Sequence, residues 1–403
     1  MRVRSPRRSQ AAFRTRPPNT PRAAGRDAAG DDARKRRLRC YARRDFGPPE
    51  EGHAAEGRLG HRVIDRRTFL GTLAGGLLAA PLAAEAQSGY KSESKMSVVV
   101  NEDTAWGRAA IRFADALRSR TVGRIQAKPY FNGRLFADQQ TTEFRLLQQG
   151  GADFAIGSTI NWSPQVKELN LFSMPFMFPN YGALDAVQAG DPGSRLLKLI
   201  EHKGVVPIAW GENGFRELNS TRSVRRPEDL QGLKVRVVGV PICIEVFRAL
   251  GANPVSMNWG EALTAFQQGT VDGHENPLAL IIPYRLWELQ RHVTLWHYAI
   301  DPLILAVSGK TWMSLTPEDR NIVRKAGEEI MAVQKREARE GLDRDMTLPT
   351  TLQGLYGMEV VQLSPAELQA FRQKTRQVYN KWASEIGVEL VRRAETIVGD
   401  SGR

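Results

Sequence analysis

SVVVNEDTAWGRAAIRFADALRSRTVGRIQAKPYFNGRLFADQQTTEFRLLQQGGADFAI, residues 97–156, alternates short β-branched runs with amphipathic segments. Ser97–Asn101 is a short β-branched run that predicts a strand, and Trp106–Arg120 places Ile111, Ala114 and Leu117 on one helical face. Ile125–Tyr130 reads as a second strand. Thr141–Gln149 reads as a helix stopped by Gly150 and Gly151, and Ala152–Ile156 as a third strand. A βαβαβ order argues for a mainly parallel sheet flanked by helices.

The pattern continues downstream. Strands are predicted at Val205–Trp210 and Leu233–Val238, helices at Ile242–Ala249 and Glu261–Gln268, and a short strand turn at Val271–Gly273. After Ser308 a long helix follows: Thr316 can cap it, Pro317 suits its first position, and Glu318 and Asp319 favour the positive end of its dipole. Ile322, Ala326, Ile330 and Val333 keep helical spacing, with no breaker before Gly341. Such a helix is long enough to span two lobes.

Upstream, DRRTFLGTLAGGLLAAPLAAEAQ (65–87) reads as an export signal. Arg66-Arg67 gives a twin-arginine entry, Leu70–Leu82 a weakly apolar run, and Ala84-Glu85-Ala86 a cleavage pattern. The run falls short of the ~20 apolar residues of a membrane-crossing helix. A working protein that begins at Gln87, in the periplasm, is expected. Residues 1–64 hold 17 Lys+Arg and seven Asp+Glu, with few periodic apolar positions. They are expected to be disordered, or to be a mis-assigned extension ahead of a start at Val63. Of the chain's 57 basic and 44 acidic residues, 19 and nine lie in 1–86, so the 38 and 35 that remain carry only about +3. The basic character therefore gives no support to nucleic-acid binding, and no nucleic-acid partner is expected. Cys243, the one cysteine after the signal, sits in an apolar run and reads as a small buried side chain.

A mature chain of 317 residues is too long for one core, which predicts two lobes. No nucleophile elbow, Walker loop, zinc-protease helix or dinucleotide fingerprint occurs, so no enzyme and no cofactor is expected. His274 beside Glu275 is the one tempting metal pair, and two groups do not complete a shell. Arg236 stands out inside the strand Leu233–Val238, facing opposite to Val235 and Val237. A buried arginine needs a carboxylate. It is either an edge or ion-pair residue, or a fork for a carboxylate ligand.

NGFRELNSTR (213–222), RPEDLQGLKVRV (226–237), LGANPVSMNWGEALTAFQQGTVDGHENP (250–277) and SMPFMFPN (173–180) closely resemble the solute receptors of tripartite ATP-independent periplasmic (TRAP) transporters, of DctP type. The resemblance runs from about Val98 to the last helices. It implies an α/β, two-lobed periplasmic binding protein, type II-like, with a long inter-lobe helix and a hinge-bending cleft. The expected lobes are 87–213 with 302–342, and 214–301 with 343–403. By the same resemblance Arg236 pairs with the ligand carboxylate, Arg216 assists, Asn276 is a polar contact, Trp259 a wall and Asn101 the polar end of the first strand. Ser158 and Glu275 complete the candidate set. Ser158, Asn161 and Gly239 stand where the sialic-acid type has Glu, Arg and Asn, which points to a smaller acid. The implied partners are a small organic acid and integral-membrane permease subunits. A receptor that presents the acid to a sensor protein is the alternative.

Overall fold

The protein is described from a computed structural model that covers residues 90–401 except 137, 138 and 344. The extension, the export signal and Gln87 lie outside the described residues. The chain begins with β1 (Ser94–Ser97), α1 (Ala105–Arg120), β2 (Ala127–Tyr130), a 3-10 turn at Gln140–Thr142, α2 (Glu143–Gln149) and β3 (Phe154–Ser158). This is the expected βαβαβ unit, with β1 parallel to both β2 and β3. The first strand lies three residues earlier than the apolar run suggested. Only Ser94–Ser97 face ladder partners on β2; Val98–Val100 stay buried but bend away, Gly133 N donating to Val98 O and Asn132 N to Val100 O. Thr104 Oγ1 accepts from Gly107 N at 2.9 Å and caps α1. The inward stripe of α1 is Trp106, Ala109, Ala110, Phe113, Ala114 and Leu117, while Ile111, expected there, is exposed.

Three helices, α3 (Thr159–Trp162), α4 (Tyr181–Ala189) and α5 (Asp191–His202), lead into β4 (Val205–Ser220). Then come β5 (Lys234–Val237), α6 (Pro241–Ala249), β6 (Asn253–Ser256), α7 (Trp259–Gln267), β7 (Gly273–Pro277) and β8 (His292–Ser308). The chain closes with α8 (Gly309–Ser314), α9 (Pro317–Ala338), α10 (Thr347–Gly354), β9 (Glu359–Gln362), α11 (Pro365–Ile386) and α12 (Val388–Ser401).

The strands form one sheet in the order β2-β1-β3-β8-β4-β7-β5-β6, with β9 also on β8. It is mixed rather than mainly parallel. Both ends are parallel, but β3-β8, β8-β4 and β4-β7 are antiparallel. The cause is β4 and β8, of 16 and 17 residues, which run through the whole molecule. The periodicity of the sequence ended β4 at Trp210 and gave no strand at 292–308. Bulges explain the miss: the β4–β8 register shifts at Pro207/Ala209, Glu212/Gly214 and Arg216/Leu218, and each shift breaks alternation.

Side chains on the two faces of the sheet build two cores. Phe154, Ile156, Leu303 and Leu305 join one, and their alternating neighbours Ala155, Ile304 and Ala306 the other. The expected long helix is α9, capped as read: Thr316 Oγ1 accepts from Asp319 N. Its start is tied to the turn before β2 by Arg124 Nη2 donating to Asp319 Oδ1 at 2.7 Å. Near its end, Gln334 exchanges two bonds with the Glu212 backbone, at 2.9 and 2.6 Å, at the central bulge of β4. Arg339, just beyond, donates to Glu212 Oε2 and to both Asp185 oxygens. The helix thus reaches from the first lobe to the place where the long strands cross to the second.

Candidate functional site

The strand crossing opens onto a small cavity. Asn213 sits in the β4 bulge and Asp301 faces Gly214 across the register shift, and both side chains line it. From β5 comes Arg236, from β7 Asn276, from the end of β3 Ser158, from α3 Asn161 and from the 3-10 turn Gln140. Val99, Val100, Trp106, Val238, Trp259 and Leu280 supply apolar walls. The cavity measures 30 Å³, room for about two water molecules.

Arg236 is the unusual group. Strand β5 lies between β7 and β6, so this is no edge strand, and the side chain is 1% exposed. Nε and Nη2 both donate to Met257 O, at 3.0 and 2.8 Å, and Nη2 reaches Gln140 Oε1 at 3.4 Å. The Trp259 ring lies 5.7 Å from the guanidinium carbon. Among the described residues no carboxylate pairs with it. Burial pushes its pKa down to about 10, the mark of a cation stripped of water without a matching anion. Its neighbour in register, His274, is driven well below the usual histidine range by burial and by the two arginines, and so stays neutral.

Arg216 differs. Its Nε donates to Glu275 Oε2, its Nη2 to Glu275 Oε1 at 2.9 Å, to Glu275 O at 2.7 Å and to Asn276 Oδ1 at 3.0 Å. Nη1 reaches Asp301 Oδ2 at 3.4 Å. Burial alone would lower its pKa, but Glu275 and Asp301 drive it up instead. Tyr298 Oη donates to Glu275 Oε2 at 2.6 Å. The Arg216 charge is therefore matched within the protein. Asp301 Oδ1 accepts from Ser158 Oγ at 2.6 Å, and Oδ2 from Asn213 Nδ2 at 2.9 Å. Burial pushes the Asp301 carboxyl up; Arg216, Asn213 and Ser158 pull it back.

Of the residues singled out from sequence, Arg236, Arg216, Asn276, Trp259 and Ser158 line the cavity together. Asn101 and Glu275 are not among the lining residues. The Asn101 backbone N–H donates to Tyr284 Oη at 2.8 Å while its side-chain Oδ1 is buried without a partner among the described residues, and both Glu275 oxygens face Arg216. Asp301, Asn213 and Gln140 escaped the sequence reading. Asp301 had left a signal, a lone carboxylate within the apolar run Tyr298–Val307. Among the described residues no three His, Cys, Asp or Glu side chains converge as a metal site. Cys243 is buried and free, as expected of a packing side chain.

A two-lobed α/β molecule whose crossing strands frame a small cavity lined by a buried guanidinium has the architecture of a binding protein. Residues 96–385 match the family model for bacterial extracellular solute-binding proteins, family 7 (DctP), and the chain belongs to that family. This is a family of solute receptors, not of enzymes. A solute-binding protein of Roseobacter denitrificans is 32% identical over 72% of this chain and 88% of its own length. The C4-dicarboxylate-binding periplasmic protein DctP of Rhodobacter capsulatus is 29% identical over 74% of this chain and 88% of its own. Among solved structures, a TRAP periplasmic solute binding protein of Ralstonia eutropha H16 with bound (S)-2-acetolactate superposes with a TM-score of 0.76 at 46% identity, covering 77% of this chain and all of that one. A Shewanella oneidensis relative with bound succinate gives 0.71 at 27% identity, covering 76% of this chain and 99% of its own.

Proposed function

We propose that this protein is the periplasmic receptor of a TRAP transporter, exported by its twin-arginine signal, which captures a small 2-hydroxy or 2-oxo monocarboxylic acid and delivers it to integral-membrane permease subunits. The observation that carries the reading is Arg236, buried at 1% exposure with no carboxylate partner among the described residues. An acid carboxylate completes it by paired, charge-assisted bonds. The second arginine is already paired with Glu275 and reaches Asp301, so Arg236 is the guanidinium lining the site that has no carboxylate partner among the described residues, which suits an acid with a single carboxylate. Ser158, Asn161, Asn213 and Asp301 offer polar partners for a hydroxyl or oxo group, and Val99, Val238 and Leu280 suit an alkyl branch. The 46%-identical relative holding 2-acetolactate, a branched 2-hydroxy-3-oxo acid, supports the same class. A 30 Å³ cavity is smaller than such an acid. Entry therefore requires the lobes, 87–213 with 302–342 and 214–301 with 343–403, to part about β4 and β8, and closure to seal the ion pair from water.

Calorimetry and thermal-shift titration with (S)-2-acetolactate, succinate and galacturonate test this. Tight binding of the first and weak binding of the others is expected. Preference for succinate overturns the monocarboxylate reading, and absence of binding to any organic acid overturns the whole. N-terminal sequencing of periplasmic protein should begin at Gln87.

A further inference from the structure

Gln140 opens the 3-10 turn that leads into α2 and is 5% exposed. Its Nε2 donates to Asn161 Oδ1 at 2.7 Å, within the lobe of β1–β3. Its other contacts cross the cleft. Oε1 accepts from the Trp259 amide at 2.8 Å and from Arg236 Nη2 at 3.4 Å, and the Gln140 amide donates to Asn258 Oδ1 at 3.2 Å. Asn258, Trp259 and Arg236 all belong to the β5–β6–α7 unit. A second crossing bond, Asn101 N to Tyr284 Oη, lies beside it, with the Tyr284 ring edge-on to Trp259 at 5.0 Å.

We propose that Gln140 is the positioning residue that couples capture of the carboxylate to closure of the lobes. The inference rests on Arg236 as the anion site. One oxygen of Gln140 fastens the guanidinium and the first amide of α7 to the opposite lobe, so these bonds form only when the cleft is shut. The chemistry of the side chain matters as much as its place. A neutral amide touches Arg236 without satisfying its charge and leaves that charge for the acid. A carboxylate of the same shape at 3.4 Å would satisfy it permanently. Gln140→Glu should therefore act as a built-in acid; Asn161 accommodates it by turning its amide to donate.

The test begins without any acid. In small-angle scattering and thermal unfolding, Gln140→Glu should be more compact and melt higher than the parent, and both effects should vanish in Gln140→Glu/Arg236→Ala. Its affinity for (S)-2-acetolactate should fall at least about a hundredfold, since the acid must displace a buried ion pair. Gln140→Ala should show no compaction and about a tenfold weaker affinity, from lost hydrogen bonds. Parental scattering and melting of Gln140→Glu without acid, or parental affinity for 2-acetolactate, overturns the proposal. If Gln140→Glu compacts but no protein binds an acid, the latch stands and the proposed function fails.

Discussion

Arg236→Met should move affinity and stability in opposite directions. The guanidinium is 1% exposed, and burial holds its pKa at about 10, below the ordinary arginine range. That depression corresponds to roughly 3 kcal/mol of penalty on the charged form in the folded state, present in full at pH 7 because the group is protonated both folded and unfolded. Met fills similar volume without the charge, so the penalty disappears. Part of the gain is offset because Met257 O loses two donors, leaving a net stabilisation without acid of at most about 2 kcal/mol, the value for the shut cleft. Binding suffers the reverse. The acid carboxylate would be buried with no cation, a loss of about 3–5 kcal/mol, or some two to three and a half decades of affinity. Urea denaturation without acid and calorimetry with (S)-2-acetolactate read the two quantities. A variant that is less stable than the parent and still binds tightly would refute the reasoning, because Arg236 would then be a structural cation with a protein partner.

Arg216→Gln should instead destabilise the free protein by about 3–5 kcal/mol at pH 7, because Glu275 and Asp301 lose the cation they share; an unchanged urea midpoint contradicts this. Arg236→Lys keeps the charge but not the fork across Met257 O, and calorimetry should show clearly weaker binding than the parent. Trp259→Ala removes a wall and the ring beside Arg236, so affinities for branched and unbranched 2-hydroxy acids should converge in a calorimetric series. Glu143, whose side chain is bonded among the described residues to Ser97 Oγ and Trp162 Nε1, is pushed by burial from 4.5 to about 7. The unfolded chain sheds this proton as pH rises past 4.5 while the folded protein keeps it until about 7, so stability falls through that window by roughly 3 kcal/mol. Gln can donate to Ser97 and accept from Trp162; Glu143→Gln should match the parent near pH 4 and exceed it by that amount at pH 8 in urea titrations.

Features that repeat along one element were legible in the amino-acid order. The βαβαβ opening, the Thr316 cap of the long helix, the burial of Cys243 and the oddity of an arginine within an apolar strand all follow from alternation, helical spacing and cap chemistry. Which side chains meet across the fold depends on contacts between distant elements. Arg216 and Arg236 are both arginines within strands, one between Phe215 and Glu217 and the other between Val235 and Val237, and neither setting names its partner. Their roles separate because β7 lays Glu275 against the first, while the second meets a backbone carbonyl and a neutral amide. Gln140 and Trp259 are 119 positions apart, and Asn213 and Asp301 88 apart; no local period encodes such pairs. The long strands escaped for a related reason: bulges displace side chains from the two-residue repeat at the crossing, and those displaced side chains, Asn213 and Asp301, line the site.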